Sequence, residues 1–267
     1  MDQDSNRKRW PVLNAQRPIR ELTVNETLSL VFSLYKSNLV MFLVPMLVAG
    51  VVSGILAFVL GYSAANLAAL ARGGLTDFFW RSLVNILPVI LLSSIVSWIV
   101  RTLANGVCIK YASDILSKGN AEIGEAFDFT IRKLVSLLGV AIVTGILIVL
   151  GFIALIVPGI ILAMMFYLVV PVIMVEDVGA LDSLSRSRKL VSKRWGKTFV
   201  VYLVVSIVVI VVSSVAGLVS APFGLLSGLV NSIITAVVTP ISPISEIVYY
   251  YSMLAREQSP AATPPSL

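Results

Sequence analysis

Residues 151–197 constrain this chain most. They hold two apolar runs around an uncharged Val157-Pro158-Gly159 turn, followed by a burst of lysine and arginine. In a bilayer core no water can satisfy a backbone N–H or C=O, so a spanning segment must close its own hydrogen bonds as a helix. Composition carries the inference to the whole chain. Of 267 residues, 58% are hydrophobic and 13% charged, against about 25% charged in ordinary soluble domains. The expected fold is all-α: a polytopic six-helix transmembrane bundle with short cytoplasmic amphipathic helices.

A membrane helix needs about 20 mainly apolar residues. Six such spans can be read, at about 39–60, 83–107, 134–157, 159–175, 199–220 and 229–251. They lie in a membrane domain covering 21–256, between a flexible cytoplasmic N-terminus (1–20) and a disordered Pro/Ser/Ala/Thr-rich tail (257–267). Spans three and four should form a hairpin broken at Val157-Pro158-Gly159. Spans five and six are joined by the uncharged Ala221-Pro222-Phe223-Gly224. Early apolar character is missing from the first 38 residues, so no secretory signal is expected.

Basic residues decide the expected orientation. Arg7, Lys8, Arg9, Arg17, Arg20 and Lys36 precede span one. Lys110, Lys118, Arg132 and Lys133 lie near the connection from span two to span three. Arg186, Arg188, Lys189, Lys193, Arg194 and Lys197 fall between spans four and five, whereas the alternate connections hold only Arg72 and Arg81. Both termini of a multi-pass plasma-membrane protein should then be cytoplasmic. Trp10, Trp98, Tyr111, Trp195 and Tyr249-Tyr250-Tyr251 are expected at the inner interface, Tyr62 and Trp80 at the outer.

Three pre-span segments resemble one another: 24–28, 123–127 and 181–184, each with an acid near its start and bases within about three turns. Each is expected to form an amphipathic helix lying on the membrane. At helical spacing, Val24, Leu28, Val31, Phe32, Tyr35 and Leu39 share one face. Phe127, Ile131, Leu134 and Leu138 share the second, and Leu181, Leu184, Val191 and Trp195 the third. Beside the third face runs a basic stripe. Arg186, Lys189, Lys193, Arg194 and Lys197 are therefore candidate contacts for anionic lipid headgroups. The plain alternative is that these helices anchor the bundle and enforce topology.

A further pattern joins Gly151, Pro158-Gly159-Ile160-Ile161, Pro171, Glu176, Ala180-Leu181, Ser187-Arg188-Lys189-Leu190 and Arg194-Trp195-Gly196-Lys197. It resembles the membrane domain associated with glycerophosphoryl diester phosphodiesterases, and the related six-span proteins of bacteria and archaea. The likeness covers roughly residues 22–255. It implies a six-helix membrane module. It does not imply phosphodiesterase activity, because that belongs to a separate soluble barrel with acidic metal ligands and histidines.

The chain has no histidine and a single cysteine, Cys108. Neither an intrachain disulfide nor a cysteine metal cluster can form, and Cys108 is expected to pack in the bundle. Hydrolase, zinc and phosphate-loop motifs are missing, so no catalytic residue, metal or cofactor is expected. Basic residues beside apolar spans favour lipid over nucleic acid. Gly50-x-x-x-Gly54 and Gly224-x-x-x-Gly228 allow close helix approach, within the bundle or in a homo-oligomer or other membrane-protein partner. Glu246 and Asn231 are the intramembrane polar candidates. Glu246 follows Pro240 and Pro243 and could reach the inner surface, pair with Arg101 or Arg256, or relay protons. Asn231 is expected to hydrogen-bond between helices. These features point to a non-catalytic membrane-embedded interaction or lipid-contacting module; the alternative is a small transporter or exporter component using the broken sixth span.

Overall fold

A computed structural model describes residues 17–70, 75–192 and 194–258, with the side chains at 64–70, 75–79 and 81–83 outside the description. The expected N-terminal region through residue 16 with Trp10, the side chains of Arg72 and Arg81, Lys193 and the tail beyond Gln258 therefore lie outside the described residues. Ten α-helices follow one another, and no strand occurs among the described residues. They are α1 (Val24–Ser37), α2 (Leu39–Leu70), α3 (Leu75–Lys118), α4 (Ile123–Ala154), α5 (Ile156–Met165), α6 (Val169–Glu176), α7 (Ala180–Val191), α8 (Trp195–Ser220), α9 (Ser227–Ala236) and α10 (Ile241–Glu257).

Among the described residues, five helical stretches are long and apolar enough to cross a membrane: Leu39–Ser63, Val84–Lys118, Ile123–Ala154, Ile156–Glu176 and Trp195–Glu257. They mark an all-helical membrane protein. The last stretch is not one rod. It folds as α8, a 3-10 turn at Ala221–Leu226, then α9 and α10. Gly224 turns the chain at φ 55°, ψ −122°, a left-handed φ that costs glycine nothing. After it, α9 packs back on α8.

Proline marks helix starts more than helix ends. The hairpin between α4 and α5 breaks at Leu155, extended at φ −170°, ψ 156°, not at Val157-Pro158-Gly159 as expected. Pro158 instead sits in the first turn of α5, where its missing N–H has no intrahelical acceptor to lose. Pro171 and Pro243 hold the same position in α6 and α10.

Helix contacts are set by small residues, as in membrane bundles generally. A Cβ on Gly54 would stand 2.7 Å from the Leu229 Cα, and one on Gly50 2.8 Å from the Ser232 carbonyl oxygen. Gly50 and Gly54 thus seat α2 on α9 within the chain. Gly151 faces Gly159 so closely that a Cβ would lie 3.0 Å from its Cα, and one on Gly106 would collide with Thr130. These contacts join α4 to α5 and α3 to α4.

The faces that periodicity selects are divided between the protein interior and the outer surface. In α1 the buried residues are Thr27, Val31, Leu34 and Tyr35, while Phe32 and Leu39 are exposed. The second segment is no separate helix: it is the start of the continuous α4. Ala126, Thr130 and Leu137 are buried there, and Phe127 and Ile131 are exposed. In α7 the inner face is Ser183, Ser187, Leu190 and Val191, with Leu181 72% exposed. Trp195 belongs to α8, across a break at Ser192. Several bulky apolar side chains of these segments point outward, where lipid solvates a leucine as well as a protein core does.

Helix α10 is the axis of the polar end. It packs against α1, α3, α6, α7 and α8. Twelve of its residues are buried, including Tyr249, Tyr250 and Tyr251. Tyr111 is buried too. These side chains pack inside the protein instead of lining its lipid-facing surface: consecutive helical residues point about 100° apart, so three in a row cannot all turn to lipid. Tyr62 and Trp80 are exposed, and Cys108 is fully buried, with its thiol 3.8 Å from the Phe42 carbonyl.

Candidate functional site

Between α5 and α6 the chain leaves helical geometry at residues 166–168, with Phe166 near φ −99°, ψ 5° and Leu168 near φ −100°, ψ 10°. Such a break frees backbone groups that bilayer cannot satisfy. Ser187, on the inner face of α7, serves both sides of it. Its hydroxyl donates to the Met165 carbonyl at 2.7 Å and accepts from the Leu168 N–H at 3.2 Å. Ser187 is fully buried. Nothing in the sequence distinguishes this serine from a solvated one beside Arg186 and Arg188. Only its recurrence on the Ser183 face hints at burial.

A second break lies between α9 and α10. Turn bonds largely repair it: Val237 N–H donates to Ile234, Val238 N–H to Thr235 and Ile241 N–H to Val238. The Val237 carbonyl also accepts the Tyr35 hydroxyl from α1. Tyr167, in the first break, pairs through its hydroxyl with that of Ser245 in α10 at 2.6 Å.

The three tyrosines of α10 bind outward to three different helices. Tyr249 pairs with Thr198 of α8 at 2.8 Å, Tyr250 donates to Glu176 of α6 at 2.9 Å, and Tyr251 pairs with Ser113 of α3 at 2.7 Å. On the α1 side, the Leu22 N–H donates to the Ser252 hydroxyl at 2.8 Å. A run of aromatic residues thus becomes a polar axle.

Around this axle lies a charge network. Arg186 binds two carboxylates at once: Glu176 through Nε at 2.8 and 2.9 Å, and Glu257 through Nη1 and Nη2 at 3.0 and 2.7 Å. Glu257 first, then Glu176, raises the Arg186 pKa against the opposing effect of burial. Glu21 takes Arg194 at 3.0 Å and Lys197 at 2.7 Å. Burial pushes its carboxyl up, yet hydrogen bonds from Lys197 and Arg194 leave it below the usual carboxylate range. Lys197 also donates to the Leu22 carbonyl. Asp177 ends α6 in the left-handed region at φ 57°, a conformation a short polar side chain tolerates, and pairs with Lys133.

The expected headgroup residues therefore divide. Arg186, Arg194 and Lys197 are engaged by acids of the chain itself. Lys189 is 73% exposed and 3.5 Å from Glu257, and Lys193 lies outside the described residues. The residues of the resembling pattern act locally as structure: Gly151 and Gly159 in close approach, Pro158 and Pro171 at helix starts, Glu176 as acceptor for Arg186 and Tyr250, Ser187 as the clamp and Leu190 in the core. Glu246 pairs with neither Arg101 nor Arg256, and no ion pair engages it among the described residues. The nearest Arg256 acid is Glu21 at 3.8 Å. Glu246 is half-buried and accepts a long 3.4 Å bond from Ser242. The Asn231 side-chain carbonyl is buried without a hydrogen-bond partner, so the expected interhelical bond is not made by that atom.

Residues 21–252 match the model of a family described as a domain of unknown function. No curated protein and no solved structure matches the chain.

Proposed function

The chain belongs to the DUF7847 family, and within it we propose a non-catalytic membrane-embedded module that contacts lipid. One observation carries this reading. The polar groups that a broken membrane helix exposes are returned to structural use: Ser187 closes one break, Tyr35 joins in closing the other, and α10 sends its hydroxyls to its neighbours. Outside the polar end, α2, α3, α4 and α8 present long rows of exposed apolar residues, such as Val84, Leu91, Val135, Ile153 and Leu218.

In this reading the chain crosses the plasma membrane six times, through α2, α3, α4, α5–α6, α8 and α9–α10. Both termini are cytoplasmic, as the basic residues gathered at the polar end support. Cysteine at position 66, in a Cys108→Ser background, is expected to label from outside intact cells. Cysteine at position 118 is not. Labelling of both would overturn the topology. For the lipid role, protein purified in mild detergent should retain phospholipid by mass spectrometry; folded protein that retains none would overturn it.

A second reading, a small transporter or exporter component, is favoured by one feature. The Tyr167–Ser245 pair ties the first break to α10 beside Glu246, whose side chain makes only a long hydrogen bond among the described residues. Transporters build their sites where discontinuous helices meet. Glu246→Gln separates the readings. Reconstituted protein with pH-gradient-driven flux that vanishes in Glu246→Gln establishes transport. Unchanged folding, with no flux in either protein, leaves the lipid-contacting module standing.

A further inference from the structure

Beside the outer face of α7 runs a groove of about 550 Å³, closed on the other side by the C-terminal turns of α10. Its lining includes Arg188, Lys189, Arg256 and Glu257 over the apolar side chains of Leu190 and Met253. Leu190 and Met253 are buried. Glu257 does not balance the three cations, because both of its oxygens already accept from Arg186 at 3.0 and 2.7 Å. Lys189 stands 3.5 Å from it. Arg256 reaches Glu21 only at 3.8 Å, and its Nη1 donates weakly to the Ser192 carbonyl at 3.4 Å. Arg188 is exposed and forms no ion pair among the described residues. The groove thus carries positive charge left over after the chain's own acids are paired.

Building on the lipid-contacting reading, we propose that this groove binds the phosphate group of an anionic phospholipid headgroup. Two guanidinium forks, from Arg188 and Arg256, match a phosphate in geometry as well as charge. The apolar floor suits the glycerol end of a lipid. The place suits one too, since α7 leads directly into the long apolar helix α8. This moves headgroup recognition off the basic stripe: Arg194 and Lys197 turn toward Glu21, and Arg188 with Arg256, on the other side of α7, take over.

The test uses the full chain in neutral phosphatidylcholine nanodiscs. Short-chain phosphatidylglycerol is titrated in, and bound lipid is counted by native mass spectrometry. Inorganic phosphate is titrated separately. Arg188→Ala is the first variant, because Arg188 supports no ion pair that folding needs. Arg188→Ala with Arg256→Ala is the second, and Lys36→Ala with Arg132→Ala is a control that removes two exposed charges elsewhere. Each lost cation should weaken phosphatidylglycerol binding about fivefold, and the double groove variant roughly 25-fold. The control should bind like the parent, and added salt should weaken the parent. Equal losses in control and groove variants would overturn the groove while leaving a lipid-contacting protein. Inorganic phosphate binding as tightly as the lipid would overturn the headgroup as ligand. A parent chain with no preference for phosphatidylglycerol over phosphatidylcholine would remove the groove, whereas loss of all retained phospholipid would remove the lipid-contacting reading itself.

Discussion

The breaks at 166–168 and 237–240 interrupt apolar segments of similar composition, yet they are repaired by different means. The first depends on a side chain from outside. Ser187 donates to one side and accepts from the other, so α7 is part of the broken segment's backbone bonding. Both breaks keep turn bonds of their own, from the Phe166, Tyr167 and Val169 N–H groups in the first and from Val237, Val238 and Ile241 in the second, and the second adds only the Tyr35 hydroxyl to them. The difference lies in what each takes from outside: Ser187 of α7 bridges both sides of the first, whereas α1 lends the second a single donor beside Pro240 and Pro243.

That contrast can be broken by mutation. Ser187→Ala should have the larger effect, because it orphans a buried N–H and a part-buried C=O together. At about 1–3 kcal/mol for each unsatisfied group, the loss should be about 2–4 kcal/mol. Thermal unfolding in one fixed detergent measures it. A melting temperature unchanged from the parent would show that the clamp is not needed.

Tyr35→Phe should cost less, about 1 kcal/mol, since it removes a single donor from a turn that keeps its other bonds. Hydrogen exchange should show lost protection confined to 237–241, with 165–168 unaffected. Equal loss at both breaks would erase the distinction.

The smallest effect should come from acid. Glu26 closes the capping box of α1, the helix that presents Tyr35. A hydrogen bond from Arg20, then one from the Thr23 backbone, holds its carboxyl at about 2, against an ordinary value of 4.5. A folded-state pKa below the unfolded one stabilises above the unfolded value, and the benefit fades as pH falls through the folded one. Protection at 237–241 should therefore decline between pH 4.5 and about 2, and the decline should shrink in Glu26→Gln. Superimposable pH profiles in the two proteins would exclude Glu26 as the cause.

The sequence made some of the site legible. Pro158 and Pro243 announced interruptions, and Gly151, Pro171 and Glu176 stood in the resembling motif. Their roles were harder to see. A proline after a break reads equally well as the break itself, which is why the hairpin turn is displaced to Leu155. Ser187 sits among arginines, where a serine normally meets water. Periodicity also selects an apolar face without saying whether protein or lipid covers it: Val31, Tyr35 and Val191 are buried in the bundle, whereas Phe127, Ile131 and Leu181 are exposed. The run Tyr249-Tyr250-Tyr251 did contain its own warning, because a helix spreads three consecutive side chains over more than half its circumference.

By itself the sequence determined that this chain is helical and belongs in a membrane, and where its charges concentrate. Those properties follow from the solvation of backbone and side chains, which each segment meets locally. The tertiary structure alone decided which charges are spent. Glu21, Glu176 and Glu257 lie far along the chain from most of the bases they bind, and which of the neighbouring bases on and after α7 each would take depends on how α1, α6 and α10 meet that helix. It also decided which hydroxyls mend the breaks, because a freed carbonyl accepts whatever donor the packing brings within about 3 Å, and no local pattern specifies that donor.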